Sequence, residues 1–167
     1  MGSGKSTVGA VLAGRTGRRL VDVDDEILDR TGRTVRELWL DDGEAAYRAL
    51  ESEIVLGALS SGEHLVVAVP GGAVLDPAVR TALESATVVW LRTTPTLLGE
   101  RVQVDDHRPL LGDDPAADLT RMARDRNDTY SAAADLVVDT DELDPRAVAD
   151  EILARLERLG ARSDRQR

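Results

Sequence analysis

Gly2-Ser3-Gly4-Lys5-Ser6-Thr7, directly after Met1, decides how the rest of this chain is read. It carries the end of the phosphate-binding pattern G-x-x-x-x-G-K-[ST], in which a glycine-rich turn joins a buried strand to a helix. Gly4, Lys5 and Ser6 supply the second glycine, the lysine and the hydroxyl, while the first glycine of the pattern falls upstream of Met1. Glycine lets consecutive backbone N–H groups curl around phosphate oxygens, and the following helix turns its positive end toward them. In such a loop Lys5 meets the β- and γ-phosphates of a nucleoside triphosphate, and the Ser6 hydroxyl ligates Mg²⁺. Val8, Val11 and Leu12 recur at helical spacing after the loop, which argues against a merely flexible Gly/Ser-rich terminus. Thr7 occupies the third glycine position of a dinucleotide fingerprint and excludes that reading.

Outward from the loop, strand-like runs alternate with helical ones, which predicts an α/β fold with a parallel sheet. The candidate strands are Leu20–Val23, Leu65–Val69, Thr87–Leu91 and Asp135–Val138, each rich in Val and Leu. With a central strand expected before the loop, upstream of Met1, they make a three-layer α/β/α domain of about five strands. A helix is predicted from Glu44 to Leu59, after Gly43, with Tyr47, Leu50, Ile54 and Ala58 on one face. Asp76-Pro77, Thr94-Pro95 and Asp144-Pro145 each place a capping residue before a proline at the first helical position. The last helix shows Val148, Ile152, Leu156 and Leu159 on its inner stripe. Residues 1–159 are expected to form one domain with a lid over about 102–115, and 160–167 a disordered polar tail.

The 167 residues include 21 basic and 31 acidic side chains, a net charge of −10, which argues against nonspecific binding to nucleic acid or membrane surfaces. Absence of cysteine removes disulfides, thiolate catalysis and cysteine-based zinc sites. Phe is absent too, so the core must be built mainly from Val, Leu, Ile and Ala. Neither a membrane span nor a secretion signal is legible, and the cytoplasm is the expected compartment.

Three further stretches carry candidate chemistry. Asp22 and Asp24 end the first candidate strand, where alternation puts both carboxylates on one face at the end where ligands collect. Helix capping is their plainer role. Pro70-Gly71-Gly72 follows the second strand; bare glycine there permits close backbone approach, and a simple turn is the alternative. The stretch from Arg101 to Asp114 is polar and broken by Pro109 and Gly112, in the manner of a functional loop. Arg108 within it is placed to stabilise charge on a transferred phosphoryl group, against the plainer reading of a solvated arginine. His107 is assigned no role.

The ordered set GSGKST at 2–7, DVD at 22–24, RTGR at 30–33, DGEAAYRALE at 42–51, PGGAV at 70–74, HRPLL at 107–111 and DRNDTY at 125–130 resembles the shikimate kinases. The resemblance extends from Gly2 to about Leu156. It implies transfer of the γ-phosphate of ATP to the 3-hydroxyl of shikimate, in aromatic amino-acid synthesis. By resemblance, Gly2, Ser3, Gly4, Lys5, Ser6 and Thr7 hold ATP, with Ser6 on Mg²⁺ and Asp22 contacting the metal through water. Asp24 is implied to hydrogen-bond the substrate hydroxyls and to act as base, with Lys5 and Arg108 as its catalytic partners. Arg48 and Arg126 are implied to grip the substrate carboxylate, a task suited to planar forks. Gly71 and Gly72 are implied to bring backbone to the substrate, Arg108 to reach both phosphate and substrate, and Arg101 to pack near adenine. A monomer is the implied form.

The chain departs from the family pattern at Pro70, which replaces the first of three glycines and removes one N–H. It departs again at Asp128, where a proline is usual; a carboxylate so close in sequence is expected to weaken the grip of Arg126. Two alternatives stay open on sequence alone: another small-molecule P-loop kinase, such as a gluconate kinase-like enzyme, and a degenerate, non-catalytic ATP-binding domain.

Overall fold

A computed structural model describes residues 2–102 and 115–163. Helix α1 (Lys5–Thr16) leads into strand β1 (Arg19–Asp22), then α2 (Val23–Thr31), α3 (Val35–Ser60) and β2 (Leu65–Ala68). A 3₁₀ turn (Ala73–Leu75) and α4 (Pro77–Leu83) precede β3 (Val89–Arg92), α5 (Pro95–Val102), α6 (Pro115–Ala133), β4 (Leu136–Asp139) and α7 (Pro145–Ser163). β1 pairs in parallel with β2, Arg19 opposite Leu65 and Asp22 opposite Ala68. β3 pairs in parallel with β4, Val89 opposite Leu136 and Arg92 opposite Asp139. Each pair is joined through helices, as parallel strands require. Among the described residues the two pairs form separate ladders.

Helix α1 ties the two pairs together. Its Val8 packs in a cluster with Val138, Val148 and Ile152, against which Val89 and Leu91 of β3 lean. On the adjoining face a methyl group at Gly9 would meet Leu20 Cδ1 at 3.0 Å and Val66 and Ala68 at 3.9 Å. Absence of a side chain at Gly9 therefore lets the helix lie close on β1 and β2. The larger core cluster lies beyond, with Val23, Ile27, Ile54, Val55 and Val79 fully enclosed between α2, α3 and α4.

Local chemistry accounts for most element ends. Asp76 accepts from Ala78 N–H at 2.8 Å to start α4, and Asp144 accepts from the N–H groups of Arg146 and Ala147 at 2.8 and 3.0 Å to start α7. Thr94 enters α5 through its backbone carbonyl, which accepts from Leu98 N–H at 3.0 Å.

Three expectations change. The first strand stops at Asp22 and Val23 already belongs to α2, so Asp22 and Asp24 do not share a strand face. The predicted helix after Gly43 is preceded by about two further turns of helix from Val35, started by a capping box in which Thr34 and Glu37 bond reciprocally. Gly43, at φ 85° and ψ 170°, is the break between the two stretches. At the C-terminus, α7 continues to Ser163, past the point where a polar tail is expected to begin. The predicted lid lies largely outside the described residues, and so do Arg108 and His107.

Candidate active site

The glycine-rich turn sets the site's geometry. Gly2 and Gly4 take φ of 70° and 84°, left-handed values that a side chain disfavours. Gly4 is the N-cap of α1 and offers no side-chain cap, so the first N–H groups of the helix face outward without a side-chain acceptor from that residue. Lys5 is half-buried, while the Ser6 and Thr7 side chains are exposed at this end.

Beside the turn opens a cavity of about 320 Å³, lined by Gly2, Ser3, Gly4, Thr7 and Val8 on one side. Arg101 of α5 forms another wall and donates from Nη1 to the Gly2 carbonyl at 3.2 Å. Thr140, Leu143, Pro145 and Val148 close the far side. Sequence reasoning singled out Gly2, Ser3, Gly4, Thr7 and Arg101, but not the segment after β4. Its signal was available: Asp144-Pro145 starts a helix just past the carboxyl end of a strand, where ligands gather in α/β sheets.

Asp22 is buried, 8% exposed, at the end of β1. One oxygen accepts from Asp24 N–H at 3.1 Å and caps α2; the other is buried without a partner among the described residues. A buried carboxylate oxygen left unbonded is costly unless something cationic or hydrogen-bonding meets it. That orphan oxygen and the hydroxyl of exposed Ser6 are oxygen donors of the kind Mg²⁺ takes, with water or phosphate completing its shell. Asp24 sits in the first turn of α2 with its side chain exposed, and its charge reaches the Tyr47 phenol. The neighbouring Asp25 has its pKa raised by partial burial and by the charges of Asp22 and Asp29.

The second half of the site is built on α3. Arg48 donates from Nη1 to both oxygens of Glu51, at 3.0 and 2.9 Å, and Glu51 is fully buried. Tyr47 donates its hydroxyl to the same carboxylate at 2.6 Å. Burial drives the Tyr47 pKa upward, and the Glu51 charge adds to the shift. Burial is the largest single influence and works against the Arg48 charge, yet the hydrogen bond to Glu51 together with the charges of Glu51, Tyr47 and Glu44 outweighs it, so its pKa is raised and the guanidinium stays charged. The guanidinium also lies 5.1 Å from the Tyr47 ring centre and 5.5 Å from that of Trp39. Nη1 is thus fixed by Glu51 and Nε donates to Glu44 at 3.4 Å, while Nη2 bonds to no other described residue.

Gly71 and Gly72 form the turn after β2, closed by Ala73 N–H donating to the Pro70 carbonyl at 3.0 Å. Neither glycine has positive φ, so conformational freedom is not why they are there. Space is. A Cβ on Gly72 would lie 2.0 Å from Arg48 Nη1, and one on Gly71 would lie 2.5 Å from the Tyr130 hydroxyl. The turn is therefore brought against Arg48, and against α6 through Tyr130.

Arg126 is half-buried on α6 and makes no ion pair with another described residue. Asp128 is exposed, and α6 runs through it unbroken. Positions two apart on a helix do not face each other, so Asp128 is not set against Arg126 as the sequence expectation had it.

The family model described as shikimate kinase matches residues 1–157 of this chain. A shikimate kinase of Thermobifida fusca is 42% identical over 159 residues, covering 95% of this chain and 92% of that protein. One from Pseudoalteromonas atlantica is 42% identical over 158 residues, covering 93% and 92%. Among solved structures, a shikimate kinase from Acinetobacter baumannii in complex with shikimate has a TM-score of 0.88 at 34% identity, covering 93% of this chain and 88% of that one.

Proposed function

The chain belongs to the shikimate kinase family, and on that premise we propose that it transfers the γ-phosphate of ATP to the 3-hydroxyl of shikimate. The observation that carries the reading is the start of α1, left-handed at Gly4, without a side-chain cap, and open to the 320 Å³ cavity. Such a helix end binds anions, and here it follows a glycine-rich turn and precedes a lysine.

The adenine end of ATP occupies the cavity between Arg101 and the Thr140–Pro145 segment, and its phosphates lie along Gly2–Thr7. Lys5 neutralises the terminal phosphates, and Ser6 with the orphan oxygen side of Asp22 holds Mg²⁺. When bound, the metal offsets charge on the β- and γ-oxygens. Asp24 accepts the proton of the acceptor hydroxyl as the new O–P bond forms; the γ-phosphate's bond to the β-phosphate oxygen breaks and ADP leaves. Arg48, through the edge left open by Glu51, and Arg126 hold the substrate carboxylate, with the Gly71–Gly72 turn against the ring. Arg108, outside the described residues, is assigned by resemblance to stabilise charge on the transferred phosphoryl group. Little covalent chemistry is asked of the protein, so position and charge dominate. We expect a cytoplasmic monomer.

A coupled ADP-release assay tests the assignment, with shikimate set against a panel of sugar acids and other hydroxy-acids. Shikimate should be the preferred acceptor, and Lys5→Ala and Asp24→Asn should each lower turnover by about 100-fold or more. Faster turnover of a sugar acid would move the chain to the gluconate kinase-like alternative. Tight Mg·ATP binding with no turnover of any acceptor would favour the non-catalytic one.

A further inference from the structure

Tyr130 belongs to no role assigned so far, yet it stands where three parts of the molecule meet. Its hydroxyl donates to the Gly71 carbonyl at 2.8 Å, across 59 residues of chain. Its ring meets Trp90 of β3 with centroids 5.5 Å apart at 51°. The turn follows the β1–β2 pair and Trp90 lies in the β3–β4 pair, so this side chain spans both. One helical turn earlier on α6 stands Arg126, and residues four apart share a helix face. The absence of a side chain at Gly71 keeps this contact possible, since a Cβ there would sit 2.5 Å from the hydroxyl.

We infer that Tyr130 is a positioning residue for the acceptor substrate. Its hydrogen bond sets the Gly71 backbone and, through the rigid turn of α6, the Arg126 guanidinium at one fixed separation. The two grips on the acceptor then arrive as a unit, and neither must be ordered separately when substrate binds. The Trp90 contact keeps the ring in place while the hydroxyl supplies register. Phenylalanine would preserve the ring contact and lose only that register. This inference rests on the reading above, in which the Gly71–Gly72 turn and Arg126 hold the acceptor.

The test uses the purified full chain and steady-state kinetics with shikimate and ATP varied independently. Tyr130→Phe should raise the KM for shikimate about fivefold or more, with kcat within twofold and the KM for ATP unchanged. Gly71→Ala, which pushes the hydroxyl away by another route, should reproduce that split. In an Arg126→Lys background the Tyr130→Phe effect should shrink, because the guanidinium it positions is already gone. An unchanged KM for shikimate in Tyr130→Phe overturns the inference. So does a parallel loss in both KM values and kcat together with a lowered melting temperature, the mark of a merely structural role. Full multiplicativity with Arg126→Lys overturns it as well. An unaltered chain that does not phosphorylate shikimate defeats the functional reading and this inference with it; an active one with an indifferent Tyr130→Phe defeats only the inference.

Discussion

Arg48, assigned above to the proposed acceptor site, is held in place by a buried partner. A guanidinium bonded to a fully buried carboxylate cannot swing away, so its open edge is presented in one direction. Glu51→Gln keeps the shape but removes the charge that offsets Arg48. Breaking a buried pair from one side costs about 3 kcal/mol or more, and the urea midpoint should fall accordingly. Gly72→Ala acts from the opposite side, because its methyl group would lie 2.0 Å from Nη1 and must displace the fork. The KM for shikimate should rise about tenfold with the KM for ATP unchanged, a split typical of lost ground-state binding. Equal KM values in variant and parent would place Arg48 away from the acceptor. Sequence reasoning reached Arg48 through resemblance, and it had Gly72 as a place of close approach. Glu51 carries no such signal, because an acid three residues from an arginine on a helix ordinarily reads as a solvated pair. Burial of that pair is decided by what the rest of the chain packs over it.

Among the elements, α3 shows best how a local signal competes with a longer-range one. Thr34 accepts from Glu37 N–H at 3.2 Å, and Glu37 accepts from Thr34 N–H and hydroxyl at 2.7 and 2.8 Å. These bonds, the backbone one first, hold the Glu37 carboxyl below its ordinary pKa. A depressed folded pKa means that stability from this group is present above its unfolded value of about 4.5 and lost as pH falls through the folded one. Thr34→Ala should therefore lower the urea midpoint at pH 7, and the gap from the parent should narrow as pH drops below 4.5. A gap that stayed constant with pH would show that Glu37 takes no part. The Thr-x-x-Glu spacing was there to be read in the sequence, and with it the start of α3 eight residues before Gly43 is explained. The β1–α2 boundary was harder. A Val-Asp-Val-Asp alternation fits a strand, but Asp22 caps a helix instead, and the choice belongs to its hydrogen bond with Asp24 N–H.

At the scale of the whole molecule, α1 joins the proposed nucleotide site to the scaffold, since it follows the glycine-rich turn and packs on both strand pairs. Mg·ATP at about 100 times its dissociation constant should stabilise the folded chain by about 2.7 kcal/mol. With α1 shared, that gain should move one cooperative melting transition as a unit; two transitions, of which one shifted, would refute the coupling. Net charge of −10 is no obstacle to binding anions, because Lys5, Arg48, Arg101 and Arg126 stand on the elements assigned to the proposed site. By itself the sequence determined the phosphate turn, the α/β alternation, the proline-marked helix starts and the family, because these rest on short-range spacing and on residue identity. Only the tertiary structure decided that Glu51 and the second oxygen of Asp22 are buried, that Gly71 and Gly72 make room for Tyr130 and Arg48, and that the segment after β4 walls the cavity beside the glycine-rich turn. Those facts depend on contacts between residues far apart in the chain, whose approach is set by the packing of whole elements and leaves no local pattern to read.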